Sequence, residues 1–351
     1  MKILIFSDLH VHNWTYGATQ IDGWNSRLLV QEKFLDHLAN VAAEEDIDVA
    51  VFCGDLFHQH GQLTADVLQV AYEGFRTLGN TIPDCYALVG NHDFQTSDGD
   101  INSLSFLHGA KWNVAFPNTK ITIQGKKFFF ISYTPHREVF EGYMKSVNTL
   151  KDSTDYLFLH QGVDKVPVGN GFELPNEFLK SEMIPTGTLA FTGHYHSHQE
   201  VSDNLVIVGS PMQHTWGDAG EYKGYIILDT LYNTWEFREY KEAPRFVHVN
   251  GEAGVVPEIA EFKGNFVKLH GDAISLDELM DLKECLLANG ALSVEVVSQN
   301  LVEAPSVSSR SFMTLDEALR AYSQELKVDK DLDDLGKLLR SGQYGTSKYK
   351  N

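Results

Sequence analysis

Five times in the first two hundred residues, a short apolar run of strand length breaks off into side chains that can hold a metal ion. Lys2-Ile-Leu-Ile-Phe6 ends in Ser7-Asp8-Leu9-His10, and Ile47–Cys53 ends in Gly54-Asp55. Tyr86-Ala-Leu-Val89 ends in Gly90-Asn91-His92-Asp93. Asp155-Tyr-Leu-Phe-Leu159 ends in His160, and Leu189-Ala-Phe-Thr192 ends in Gly193-His194-Tyr195-His196. Runs this short, bounded by Gly and polar residues, read as buried strands that stop abruptly. Between the first three lie helical patterns, from Asn25 to Glu45 and from Leu63 to Leu78, with Asn25 or Ser26 as N-cap. Strand, helix, strand, helix, strand implies a βαβ core with parallel strands. In such folds the carboxyl edge of the sheet carries the site.

The residues gathered there are Asp8, His10, Asp55, Asn91, His160, His194 and His196. Carboxylate, imidazole and amide oxygen without thiolate suit Mn²⁺, Fe²⁺, Zn²⁺ or Mg²⁺. Seven ligands exceed the needs of one ion. Two ions roughly 3.5–4 Å apart on a shared carboxylate are the usual arrangement for hydrolysing phosphate esters. Asp55, the lone carboxylate on the central strand, is the natural bridge. His92, beside Asn91 on one tight turn, is placed to move a proton.

These five motifs, in this order, resemble those of the calcineurin-like metallophosphoesterase superfamily from residue 1 to about 215. The resemblance implies an α/β four-layer α-β-β-α sandwich. It implies that Asp8, His10, Asp55 and His196 hold one ion and Asp55, Asn91, His160 and His194 the other. His92 is then the acid that protonates the leaving oxygen, with Asp93 orienting it. Asp55-Leu-Phe-His58 and Gly209-Ser210-Pro211 with Trp216 and Asp218 resemble SbcD-like nucleases, including phage recombination endonuclease subunits. That narrower resemblance implies a Mn²⁺-dependent DNA exonuclease or endonuclease in recombination and repair. It also implies an SMC-like ATPase partner of the SbcC type, a homodimer within a heterotetramer, and His58 on the nucleic acid. Val11-His12 and Gln59-His60-Gly61 depart from the family pattern. The Arg-Gly pair that protein phosphatases carry after Gly-Asp is absent, which argues against phosphoprotein substrates.

The rest of the chain fits three parts: a phosphoesterase domain over 1–243, a small β-α-β cap over 244–304, and a linker with a C-terminal helix pair over 305–351. Short strands are expected over 112–116, 121–124 and 128–133, and a β-meander over 204–208, 224–228 and 234–240. Apolar positions 315, 319, 322, 326 and 332, 335, 339 give the tail two amphipathic helices, with Thr314 and Glu317 as a capping box. Such a pair packs on its own domain or docks on a partner, here the ATPase.

A formal net charge of −20 opposes nucleic-acid binding by the polypeptide alone. Metals and a basic partner would offset it. Cys53, Cys85 and Cys285 give no disulfide framework, and no apolar run is long enough for a signal peptide or a membrane span. The expected setting is cytoplasm, a host's if the gene is a phage's. His37, His108, His136, His248 and His270 read as structural, whereas His12, His60, His198 and His214 stand near motifs. Trp14 and Tyr16 are placed to stack on bases or, more simply, to pack on their own domain. Arg137, Lys145 and Lys151 fall in an irregular stretch where they would touch phosphates or solvent. Two other functions stay open: a stand-alone phosphodiesterase or phosphatase on nucleotides and small esters, and a metal-free scaffold used for binding.

Overall fold

Each central strand is apolar on both faces, which is why two sheets form. In Lys2–Phe6, Ile3 and Ile5 face one way and Leu4 and Phe6 the other, all fully buried. A parallel strand of this kind needs cover on both sides. The computed structural model describes residues 1–147, 154–168, 171–252, 254–255, 257–271 and 274–298. Its first sheet runs, in spatial order, Thr234–Glu239, Gly224–Asp229, Lys2–Phe6, Val49–Phe52, Asp84–Leu88 and Asn113–Ala115. The last four strands are parallel, as the βαβ reading requires. The second sheet runs Gln199–Ser202, Leu205–Ile207, Leu189–Gly193, Tyr156–His160, Lys126–Ile131 and Asn118–Ile123, with its inner four parallel.

Ile3, Ile5, Val49 and Val51 of one sheet meet Phe128, Phe130, Phe158 and Phe191 of the other in the central core. Leu4, Phe6 and Phe52 face the helices Ser26–Glu44 and Ala65–Thr81. Phe129, Leu157 and Leu159 face the helix Arg137–Val147. The layers are α-β-β-α. Asn25 caps the first helix, its side chain accepting from the backbone N–H of Arg27 and Leu28 at 2.8 and 3.3 Å.

The expected meander is divided between the sheets. Leu205–Ile207 joins the second sheet, while Gly224–Asp229 and Thr234–Glu239 return as a hairpin beside Lys2–Phe6. Strand pattern alone cannot say which sheet a strand enters. The stretch expected to be irregular before His160 contains the helix Arg137–Val147. Its buried Phe140, Met144 and Val147 stand at helical spacing.

Residues 246–297 build a second β-α motif. Phe246–Asn250, Phe266–His270 and Ser293–Val297 form a parallel three-stranded sheet, and the helix Leu276–Ala288 buries Leu279, Leu282 and Leu286 on one face of it. Phe246–Asn250 is a strand that the sequence reading missed. Met1–Val297 is one compact unit. The linker and helix pair expected over 305–351 lie outside the described residues.

Arg27 fastens this motif to the larger sandwich. It is 7% exposed, and its guanidinium lies 5.1–5.4 Å from the ring centres of Trp14, Phe246 and Phe266. It donates to the carbonyls of His214 (2.9 Å), Gln213 and Tyr16 (both 3.4 Å). Tyr16 packs on Trp216, Phe246 and Phe266. Arg27→Met strands these carbonyls and removes the cation from the rings. It should destabilise the fold by roughly 2–4 kcal/mol, read as a lower urea midpoint.

Candidate metal centre

The ends of the first two strands turn together. Cys53 N–H donates to Phe6 O at 2.8 Å, Asp8 N–H to Gly54 O at 2.9 Å, and His10 N–H to Asp55 O at 3.1 Å. Parallel pairing thus continues past the strands into the loops. To aim side chains inward, Asp8, His10, Asp55 and His194 adopt φ of +52°, +47°, +60° and +91°. Non-glycine residues seldom enter this region, Asp and His more readily than most, and such conformations recur at active sites. Gln31, buried on the first helix, holds the loop by donating to Leu9 O and His10 O and accepting from His12 N–H.

The seven expected ligands are brought together, and they divide into two sets about Asp55. Asp55 Oδ2 lies 3.7 Å from His10 Nε2, which stands 3.0 Å from His196 Nε2. Asp8, His10 and His196 offer ligand atoms within 4.8 Å of one another. On the other side Asp55 Oδ1 lies 3.4 Å from His160 Nε2. Asn91 Oδ1 is 3.1 Å from His160 Nε2 and 2.8 Å from His194 Nδ1. The His160 Nδ1–H donates to Cys53 O at 2.6 Å, which leaves Nε2 as the free donor atom.

Asp8, His10, Asp55 and His160 are at most 2% exposed, so their charges have no water to answer them. Burial raises the Asp8 carboxyl, and nearby Asp55 adds to the rise. Burial holds the imidazoles of His10 and His194 down, the latter at about 3 with His160 contributing, so both are neutral as a ligand must be. Burial also opposes charge on His160, yet Asp55, by charge and hydrogen bond, carries that ring up to about 9. Burial likewise opposes charge on Asp55, but His160 outweighs it and keeps the carboxylate ionised. A proton on His160 therefore stands where the donor set calls for a cation. These residues fit a pair of divalent ions.

Asp93 is not where the sequence reading put it. Its carboxylate accepts from the backbone N–H of Asp55 (2.9 Å), Leu56 (3.0 Å) and Gly90 (2.9 Å), fixing two turns together. The orienting contact to His92 comes instead from His58 O, 2.8 Å from His92 Nδ1. A carbonyl only accepts, so Nδ1 carries a proton and Nε2 is the atom free to exchange one. The ring lies 4.8 Å from that of His10 and stacks between His58 and His60 at 5.6 and 4.9 Å. His58 thus adjoins the expected acid, with Trp14 4.4 Å away on its other side.

Other residues sort by contact. His198 donates to Ile207 O and stacks on Phe237 at 4.0 Å, a packing role. His214, fully buried, donates to Asp8 O at 3.1 Å. Trp14 stacks on His214 of its own domain, in line with the simpler expectation, whereas Tyr16 packs across on Phe246 and Phe266 of the small sheet. Arg137 is committed to Asn176 O and the Phe178 ring, Lys145 is exposed, and Lys151 lies outside the described residues. Arg27 and Gln31 were missed although they carry a signal, two polar residues at helical spacing on an apolar face.

Phosphoesterase 244L of invertebrate iridescent virus 6, a provisional name, is 27% identical over 199 residues, covering 56% of this chain and 68% of the relative. Phosphoesterase 078R of invertebrate iridescent virus 3, named in the same way, is 26% identical over 199 residues, 54% of each chain. A solved archaeal phosphodiesterase overlaps at TM-score 0.37 with 16% identity, covering 68% of this chain and all of that one. The model of the calcineurin-like phosphoesterase family matches residues 1–208. Among the described residues no helix is long and apolar enough to cross a membrane. With that match over more than half its length, the chain belongs to the calcineurin-like phosphoesterase family, whose chemistry is phosphoester hydrolysis on divalent metal ions.

Proposed function

We propose that the chain is a Mn²⁺-dependent DNA nuclease, hydrolysing phosphodiesters as an exonuclease, endonuclease or both. It would act as a homodimer with an SMC-like ATPase in recombination, repair or end processing in the cytoplasm. The observation that carries the hydrolytic part is Asp55, whose two oxygens face two separate sets of donors. When bound, two divalent ions offset the charge of the scissile phosphate and make water a better nucleophile. The His58 carbonyl holds the His92 Nδ1–H and so aims Nε2 at the site, where the doubly protonated ring would give its Nε2 proton to the departing oxygen and keep the one on Nδ1. Support for DNA as substrate comes from His58 beside the acid and from the β-α motif over 246–297 set against the first loop. The ATPase, docked on the sequence-predicted helix pair over 305–351, would supply positive charge to offset the net −20 of this chain.

A second reading, a stand-alone phosphodiesterase or phosphatase on nucleotides and other small esters, has its own support. Net charge is −20, and Arg27 and Lys223, whose side chains bond the His214 and His196 carbonyls, are buried and engaged. Linear duplex DNA and bis-p-nitrophenyl phosphate, each with Mn²⁺ and with or without the ATPase, separate the two. The nuclease reading expects DNA cleavage that His92→Ala lowers roughly 10²–10⁴-fold, because an alkoxide must be protonated to leave. The nitrophenyl ester should suffer far less, since its leaving group departs without a proton. Turnover of the ester with DNA untouched even beside the ATPase would favour the second reading.

A further inference from the structure

Behind His196 lies a buried array that the two-ion reading does not use. Asp218 is 5% exposed and Lys223 4%. Asp218 Oδ2 accepts from the backbone N–H of His214 at 3.0 Å and of Thr215 at 2.9 Å. Its Oδ1 accepts from Lys223 Nζ at 2.9 Å and faces His196 Nδ1 at 3.6 Å. Lys223 Nζ also donates to Glu221 Oε2 at 2.6 Å and to the backbone oxygen of His196 itself at 2.7 Å. One carboxylate therefore reaches two of the expected ligands. It faces the His196 ring directly, and through His214 it reaches Asp8, whose carbonyl accepts from His214 Nε2.

We infer that Asp218 and Lys223 are positioning residues for one ion of the pair, the one on Asp8, His10 and His196, and not for the other. The carboxylate favours the His196 proton on Nδ1, the nearer nitrogen, and so keeps Nε2 open toward His10 Nε2. Lys223 holds the carboxylate in place and fixes the His196 backbone with the same ammonium group. The other donor set is braced from elsewhere, by Cys53 O on His160 and by Asp93 on the turns that carry Asp55 and Gly90. The halves also touch, since His194 N–H donates to both oxygens of Asp8 at 3.1 and 3.2 Å, but no contact of Asp218 or Lys223 reaches the side chains of Asn91, His160 or His194 among the described residues.

This rests on the two-ion reading but not on DNA as substrate, and its readout is ion binding. Apo-protein is titrated calorimetrically with Mn²⁺, and the loaded protein is read by electron paramagnetic resonance, where a coupled pair differs from an isolated ion. Wild type should bind two ions and show the coupled signal. In Asp218→Asn and Lys223→Met one affinity should fall roughly ten- to hundredfold with the other unmoved, and the isolated signal should replace the coupled one. Asn can still accept from the backbone of His214 and Thr215, and Lys223→Arg, which keeps the charge, should recover most of the affinity. If Asp218→Asn does not fold, the Lys223 pair carries the test. Unchanged affinities, or equal loss of both, would overturn the assignment. Failure of wild type to bind two ions would instead sink the two-ion reading on which it rests.

Discussion

Asp55→Asn lowers kcat/KM on bis-p-nitrophenyl phosphate by roughly a thousandfold or more, equivalent to about 4 kcal/mol of transition-state stabilisation. The substitution keeps the volume and one oxygen, which can still accept from His92 N–H as Asp55 Oδ1 does at 2.8 Å. What it removes is the charge and the second oxygen. His10 and His160 face opposite oxygens of this carboxylate, so an amide can serve one set of donors only. The variant should fold, by circular dichroism, because Asp93 still ties the turns together and the remaining Asn oxygen can keep the bond from His92 N–H. A fall of less than tenfold would show that the two sets do not depend on a shared carboxylate.

Gly90→Ala is expected to damage stability and activity together. A Cβ at residue 90 would collide with the backbone nitrogen and the carboxylate of Asp55. There is no room to retreat, since Gly90 N–H is held by Asp93 and Gly54 packs against it from the other turn. Overpacking of this kind costs about 1–3 kcal/mol, read from urea unfolding. Displacing Asp55 by about an ångström should cost roughly a further hundredfold in kcat. Gly125→Ala is the contrast. Its φ is +80° but nothing lies within 4 Å of the added carbon, so it should cost stability alone. Wild-type kcat in Gly90→Ala would mean that the two turns are looser than their hydrogen bonds imply.

That the seven expected ligands would be gathered at one edge was legible in the sequence, because each ends an apolar strand and parallel strands deliver their ends to one edge. Asp55 as the bridge was read from its place on the central strand, whereas the two donor sets came only from the family resemblance. Asp93 was misread because adjacency to His92 suggested contact. The turn instead points its carboxylate back at backbone N–H groups, including that of Leu56, and the orienting carbonyl comes from His58, 34 residues away in sequence. Asp218 left a motif-level trace but no role, and Lys223 left none, for their contacts to His196 and, through His214, to Asp8 are ones that only the fold creates. The strands over 204–240 were legible as strands but not by sheet, which depends on tertiary pairing.

Counting bound Mn²⁺ in the dialysed protein, by elemental analysis against protein concentration, tests the account at its centre. Two ions per chain in wild type, falling to one or fewer in Asp55→Asn, is the predicted result. A single ion in wild type, or two ions retained in Asp55→Asn, would contradict a pair built on one shared carboxylate.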